Sequence, residues 1–159
     1  MHGKNKTICI AGKNLCAIES LAYVLKKYKN LNILALPNKS DNAKDGWQKS
    51  FKKFAIKKKV PITSLKKLYK LDNLYLFSLE YEEILKTKNF NSKNLFNFHF
   101  SILPKYRGCH TNFYQIFMGE KKSGVTLHEI DDGIDTGKII DKLSFPIHLN
   151  TTAYENYIK

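Results

Sequence analysis

The chain has 159 residues, 43% of them hydrophobic, and a formal net charge of +13. That is length and apolar content enough for a domain with a core, and it excludes a disordered tail. The longest apolar runs are a few residues, far short of the ~20 needed for a membrane-spanning helix, so no membrane partner is expected. The positive balance invites a polynucleotide reading, but only one of the 27 basic residues is an arginine, Arg107. Base-edge readers rely on bidentate arginine. Lysines scattered along the chain read as solvated faces, so nucleic acid is not an expected partner. An anionic small molecule would be steered by the same field.

In chain order, "KTICIAG" (Lys6 to Gly12) reads as a first strand. The basic start before it resembles a leader, but its apolar run is broken at once by Gly12 and Lys13, which argues against a signal peptide. "LCAIESLAYVLKKYK" carries Leu15, Ile18, Leu21, Ala22 and Leu25 at helical spacing. "NLNILALP" (Asn30 to Pro37) is a second strand and "NKSDNAKDG" a turn-rich loop. "WQKSFKKFAIKKK" returns to helical period through Trp47, Phe51, Phe54 and Ala55. "TSLKKLYKL" has an N-cap at Thr63 or Ser64. "LYLFSL" (Leu74 to Leu79) and "LFNFHF" are near-continuous apolar strands.

Strands alternating with helices predict an α/β fold, a Rossmann-like, mostly parallel sheet with helices on both faces. After Gly108, "HTNFYQIFMG" suggests a helix. "GVTLHEI" and "KIIDKLSFPI" then read as two strands around "DDGIDTG", a turn dense in Asp and Gly. No linker marks a second domain, so residues 1–159 are expected to form one domain with a Rossmann-like half over 1–94 and a second half over 95–159. "TTAYENYIK" looks like a helix just beginning, which predicts a chain truncated at its C-terminus. Cys9, Cys16 and Cys109 show no CxxC spacing, which predicts reduced thiols and a cytoplasmic setting.

Three stretches could carry chemistry. Asn97 and His99 share one face of a strand while Phe96, Phe98 and Phe100 point to the other. An amide beside an imidazole suits oxyanion stabilisation and proton handling, and a buried pair satisfied by backbone groups fits the same spacing. "HEIDDGIDTG" (His128 to Gly137) could bind a metal or solvate a hairpin; regular calcium-loop spacing with a distal Glu is absent. In "LPKYRGCHTN", Lys105 and Arg107 could meet phosphate or form an exposed basic loop. His110 and His128 could join Cys109 around a metal, but the spacing matches no zinc pattern, and no metal is expected. His2 and His148 have no motif around them. "AGKNLCA" lacks GxGxxG, which removes a dinucleotide reading.

Together "NFH", "SILPKYRG", "SGVTLHEI" and "IDTGKII" resemble the folate-dependent formyltransferase family. It joins an Asn-x-His pair on a strand, a Leu-Pro turn ending in Lys/Arg-Gly, a Gly-Val-Thr strand and an aspartate in an Asp-x-Gly turn. The match spans roughly Phe96 to Asp141. Within the family, "IAGKNLCAIESL", "LPNKSD…GWQKSFKKFA" and "LFSLEYEEILK" look most like nucleotide-linked sugar N-formyltransferases. The "GTP-(Asp/Glu)-Phe" opening of methionyl-tRNA formyltransferases and the "GxGSN" loop of glycinamide ribonucleotide formyltransferases are missing.

The resemblance implies formyl transfer from 10-formyltetrahydrofolate to the amine of a dTDP- or GDP-linked amino sugar. The alternatives are methionyl-tRNA formyl transfer and a truncated, non-catalytic binding module. Asn97, His99 and Asp135 become the catalytic residues. Leu79, Glu80, Tyr81 and Asp131 become folate-binding, with the pterin between the end of "LFSLEY" and the "DDGID" turn. Lys13, Asn14, Lys105 and Arg107 fall on the nucleotide-sugar side. Family members are generally longer, and a homodimer is one assembly open to the chain.

Overall fold

Six extended runs form one six-stranded sheet in the order β2-β1-β3-β4-β5-β6. The structure, a computed structural model, describes residues 6–159; His2 lies outside them. The strands are β1 (Thr7–Gly12), β2 (Asn32–Pro37), β3 (Leu74–Leu79), β4 (Leu95–His99), β5 (Lys122–Glu129) and β6 (Ile139–Pro146). The helices are α1 (Asn14–Lys27), α2 (Phe51–Lys57), α3 (Leu65–Leu68), α4 (Thr111–Phe117) and α5 (Ala153–Ile158). β1 pairs in parallel with both β2 and β3. β5 and β6 are antiparallel, with a register shift between Leu127 and His128. The α/β fold expected from the alternation is the one observed. The chain divides into two compact units, one ending at Phe96 and the other Asn97–Lys159.

In the first unit, β1 is a central strand buried nearly throughout, as its continuous apolar sequence requires. α1 buries Ala17, Ile18, Leu21 and Val24, positions one helical turn apart. Lys26 and Lys27 sit in its last turn, where the helix dipole favours cations. At the end of β1 a Cβ on Gly12 would lie 1.9 Å from the Leu79 carbonyl oxygen, so only glycine lets the β1 and β3 backbones close there.

One expectation fails. The helical period read from Trp47 onward begins only at Phe51, and Trp47 is 81% exposed in the preceding loop. The reason is local. Ser50 caps the helix, its side chain accepting from Lys53 N at 3.0 Å, and a bonded N-cap sets the start more firmly than a repeat of aromatics. Phe51 is fully buried, a burial contributing roughly 1.5–3 kcal/mol.

In the second unit, α4 and α5 are tied by Asn156 Nδ2 donating to Asn112 O (3.1 Å) and Asn112 Nδ2 donating to Ala153 O (3.3 Å). "TTAYENYIK" forms α5 itself, opened by a capping box between Thr152 and Glu155. Thr111 Oγ1 and Gln115 Nε2 both donate to Phe100 O, at 2.7 and 2.8 Å. These two bonds satisfy the backbone carbonyl that follows β4.

Candidate active site

All the catalytic candidates lie in the second unit. Alternation along β4 puts Asn97 and His99 on one face, and the structure joins both to Asp135. Asn97 Nδ2 donates to Asp135 Oδ1 at 3.2 Å. His99 Nδ1 lies 3.4 Å from Asp135 Oδ2, and the Gly108 N–H donates to the same oxygen at 2.8 Å. His99 is 5% exposed, and the Asp135 side chain is 12% exposed.

His128, which its sequence neighbours mark only as a possible metal ligand, is the fourth member. Its Nε2 is 3.1 Å from Asn97 Nδ2 and 3.4 Å from Asp135 Oδ1. The signal for it was in β5, where Gly124, Thr126 and His128 are buried at alternate positions. Polar residues on the inward parity of a strand mark a face that needs them. Thr126 uses that face to donate to Ser101 O at 2.7 Å and to accept from Leu103 N at 3.1 Å.

Backbone carbonyls fix both imidazoles. His99 Nε2 is 2.6 Å from Tyr106 O, and His128 Nδ1 is 2.7 Å from Glu129 O. A carbonyl can only accept, so each of these ring nitrogens carries a proton. The other nitrogen of each ring then faces Asp135. The Tyr106 carbonyl is held in turn by Ser101 Oγ, which donates to Lys105 O (2.7 Å) and Tyr106 O (3.1 Å).

The electrostatics follow from the donors. Burial pushes the Asp135 carboxyl up. The His128 hydrogen bond, the Gly108 N–H and the charges of both imidazoles outweigh it and hold the group below its usual range. Burial pushes His128 down, yet its bonds to Asp135 and the Glu129 carbonyl raise it above the ordinary imidazole value. Asp135 sits at φ 51°, a left-handed conformation that Asp tolerates better than most residues. A Cβ on Gly137 would fall 1.8 Å from Glu129 O, so glycine is required where the turn closes on β5.

The remaining candidates stand in four places. Leu79 ends β3 and is buried. Glu80 O accepts from Asn38 Nδ2 (2.9 Å) and Glu80 Oε2 from Asn14 Nδ2 (3.2 Å). The Tyr81 hydroxyl donates to Glu83 Oε1 at 3.2 Å. The Asp131 carboxylate accepts from Thr136 Oγ1 at 2.7 and 2.9 Å and from Gly133 N at 3.1 Å. Lys105 pairs with Glu120 at 3.1 Å, and Arg107 is exposed. Lys13 and Asn14 line a polar cavity at the start of α1. Among the described residues no group of three or more His, Cys, Asp or Glu side chains is arranged to hold a metal ion, and none of the helices is long and apolar enough to cross a membrane.

An amide donor, two imidazoles fixed by carbonyls and one shared carboxylate make a constellation for moving a proton beside a developing oxyanion. The formyl transferase family model matches residues 75–158, and the chain belongs to that family. It is similar over 98% of its length to WlaRD, a sugar 3N-formyl transferase whose crystal structure was determined in the presence of dTDP and 5-N-formyl-THF, at 48% identity and a TM-score of 0.92. It is similar over 96% of its length to the N-formyltransferase from Helicobacter canadensis, solved with folinic acid and dTDP-3-aminofucose, at 45% identity and a TM-score of 0.91. A bifunctional polymyxin resistance protein ArnA from Wigglesworthia glossinidia brevipalpis is 38% identical over 124 residues, 69% of this chain. The chain spans 57% of each of those two crystallised chains and 18% of that ArnA.

Proposed function

We infer that the protein transfers a formyl group from 10-formyltetrahydrofolate to the amine of a nucleotide-linked amino sugar. The observation that carries this is the convergence of Asn97, His99 and His128 on the single carboxylate of Asp135. Kinship at 48% and 45% identity with two crystallised sugar formyltransferases selects the acceptor class.

The donor set fits the folate. It offers amide and imidazole N–H groups where an oxygen gains charge, and a carboxylate where an amine loses a proton. When bound, 10-formyltetrahydrofolate supplies a formyl carbon open to attack by a neutral amine. Asn97 Nδ2, which faces Asp135 Oδ1 and His128 Nε2 in the structure, turns one N–H to the formyl oxygen as it becomes negative. His99 Nε2 carries the proton that the departing nitrogen needs. In the structure that N–H is directed at the Tyr106 carbonyl oxygen, and it must leave that acceptor to serve the departing nitrogen. Asp135 keeps His99 oriented through Nδ1 and takes the proton of the amine, directly or through water.

Leu79, Glu80, Tyr81 and Asp131 are the proposed folate contacts. The carboxylate of Asp131 is engaged within its own turn, so its part is a backbone one. Lys13, Asn14, Lys105 and Arg107 are proposed on the sugar-nucleotide side, where charge-assisted bonds to a diphosphate are strong. A cytoplasmic setting accords with three free cysteines, Cys9, Cys16 and Cys109. The test is release of tetrahydrofolate from 10-formyltetrahydrofolate in the presence of a dTDP-linked amino sugar. Turnover supports the reading, and turnover only with charged initiator tRNA replaces it.

A further inference from the structure

Two buried hydroxyls shape the turn that follows β4. Ser101 and Thr126 are both fully buried, so neither is open to a substrate. Thr126 Oγ1 ties the start of the turn to β5, donating to Ser101 O and accepting from Leu103 N. Ser101 Oγ reaches across the turn and shares its single proton between Lys105 O at 2.7 Å and Tyr106 O at 3.1 Å. These two carbonyls flank the Tyr106 Cα, so the one hydroxyl fixes the Tyr106 backbone on both sides. That backbone needs fixing. Tyr106 stands at φ 56°, a left-handed conformation that a Cβ disfavours and that Gly, Asn and Asp adopt far more readily. The Tyr106 hydroxyl adds an outer tie, donating to Glu120 Oε1 at 2.8 Å.

The product of these ties is a carbonyl aimed at His99. Two acceptors then compete for the ring proton: Asp135 Oδ2 faces Nδ1, and Tyr106 O faces Nε2. A ring with one proton serves only one of them. A carboxylate is ordinarily the stronger acceptor. Here it lies 3.4 Å from Nδ1, beyond the ~2.7–2.9 Å of a charge-assisted bond, while the carbonyl is 2.6 Å from Nε2. The geometry of the turn therefore decides where the proton sits.

We propose that Ser101 is a positioning residue for formyl transfer, its hydroxyl setting the Tyr106 carbonyl so that His99 begins each turnover with its proton on Nε2. This rests on the formyl-transfer reading above. The consequence is a balanced proton path. His99 gives the Nε2 proton to the departing nitrogen. Asp135 takes the proton of the amine and passes it to Nδ1, so the ring ends with one proton and the carboxylate with none. A ring that starts with its proton on Nδ1 has nothing to give from Nε2 and no free nitrogen facing Asp135. Losing the Ser101 hydroxyl frees the carbonyl to turn and hands the choice to the carboxylate.

The His99 tautomer is read in the full chain by long-range proton–nitrogen correlation of the imidazoles, with His99→Gln giving the assignment. The spectra are taken at about pH 8.5, well above the ordinary imidazole value. The expected result is an Nε2–H signature in the wild type and a shift to Nδ1–H in Ser101→Ala. With 10-formyltetrahydrofolate and a dTDP-linked amino sugar, that variant should lose kcat by ~10-fold or more and keep both KM values within ~3-fold. Thr126→Val loosens the start of the same turn and should move the tautomer in the same direction, so it gives the reading if Ser101→Ala does not fold. An unchanged Nε2–H tautomer in the folded variants would overturn the proposal. So would a shifted tautomer with unchanged kcat, or a loss of rate carried by KM alone. A tautomer shift in a protein whose wild type transfers no formyl group would sink the reaction and leave the link between Ser101 and His99 standing, which keeps the two failures distinct.

Discussion

Replacing Asp135 by Asn removes one charge and one acceptor with almost no change in shape. Asp135 uses both oxygens: Oδ1 faces Asn97 Nδ2 and His128 Nε2, and Oδ2 faces Gly108 N and His99 Nδ1. An amide has one acceptor oxygen, so either orientation turns its NH2 toward an N–H donor. If the NH2 takes the Oδ2 place, the 2.8 Å bond from Gly108 is lost; if it takes the Oδ1 place, the Asn97 bond is lost. One charge-assisted bond of ~1.5–3 kcal/mol disappears and the other weakens. The expected destabilisation is about 2–4 kcal/mol by urea unfolding at pH 7.

The pH profile should change with it. Asp135 is held below its ordinary value near 3.8, so its contribution is present above that value and lost as pH falls through the depressed one. The Asn variant should lack this acid arm. Formyl transfer should fall by at least ~10²–10³, the loss of one oriented group at the reacting centre. A variant that keeps rate within tenfold, or that loses rate while retaining the acid arm of stability, would refute the role assigned to Asp135.

Three other outcomes are expected. Asn97→Ala should lower kcat by ~10²–10³ while leaving the circular dichroism spectrum unchanged; loss of folded signal would instead make Asn97 structural. His128 is raised above its ordinary 6.5, so its contribution is complete below that value and lost as pH rises through the raised one. His128→Gln should flatten stability across that neutral window in chemical denaturation, and an unchanged slope would contradict the pairing with Asp135. Gly137→Ala forces a Cβ to 1.8 Å from Glu129 O, and the overpacking should cost about 3 kcal/mol by urea unfolding.

The parts of the fold that were legible are those whose signal is local. Strands β1 and β3 are near-continuous apolar runs, β4 is one broken only by Asn97 and His99, and α1 carries its buried face at helical spacing, so period and composition name them. Trp47 misled because aromatic period continues upstream of a helix whose start is set by the Ser50 hydroxyl. In the site, Asn97 and His99 were visible from strand alternation alone, whereas Asp135 needed the family resemblance to single it out among the aspartates of its turn. His128 was hidden for a different reason. Its role depends on the meeting of β5 with the Asp135 turn, a contact that no spacing in "HEIDDGID" displays. The Tyr106 and Glu129 carbonyls that orient the two imidazoles are backbone groups and carry no sequence signal.

The central claim is that the Asn97–His99–Asp135 cluster catalyses formyl transfer to a sugar amine. Its most direct test follows tetrahydrofolate release with 10-formyltetrahydrofolate and a panel of dTDP- and GDP-linked amino sugars, beside His99→Ala. The account predicts turnover with at least one amino sugar and its loss, by ~10² or more, in the variant. Undiminished turnover in His99→Ala, or a folded wild-type chain that binds both substrates and transfers nothing, would contradict it.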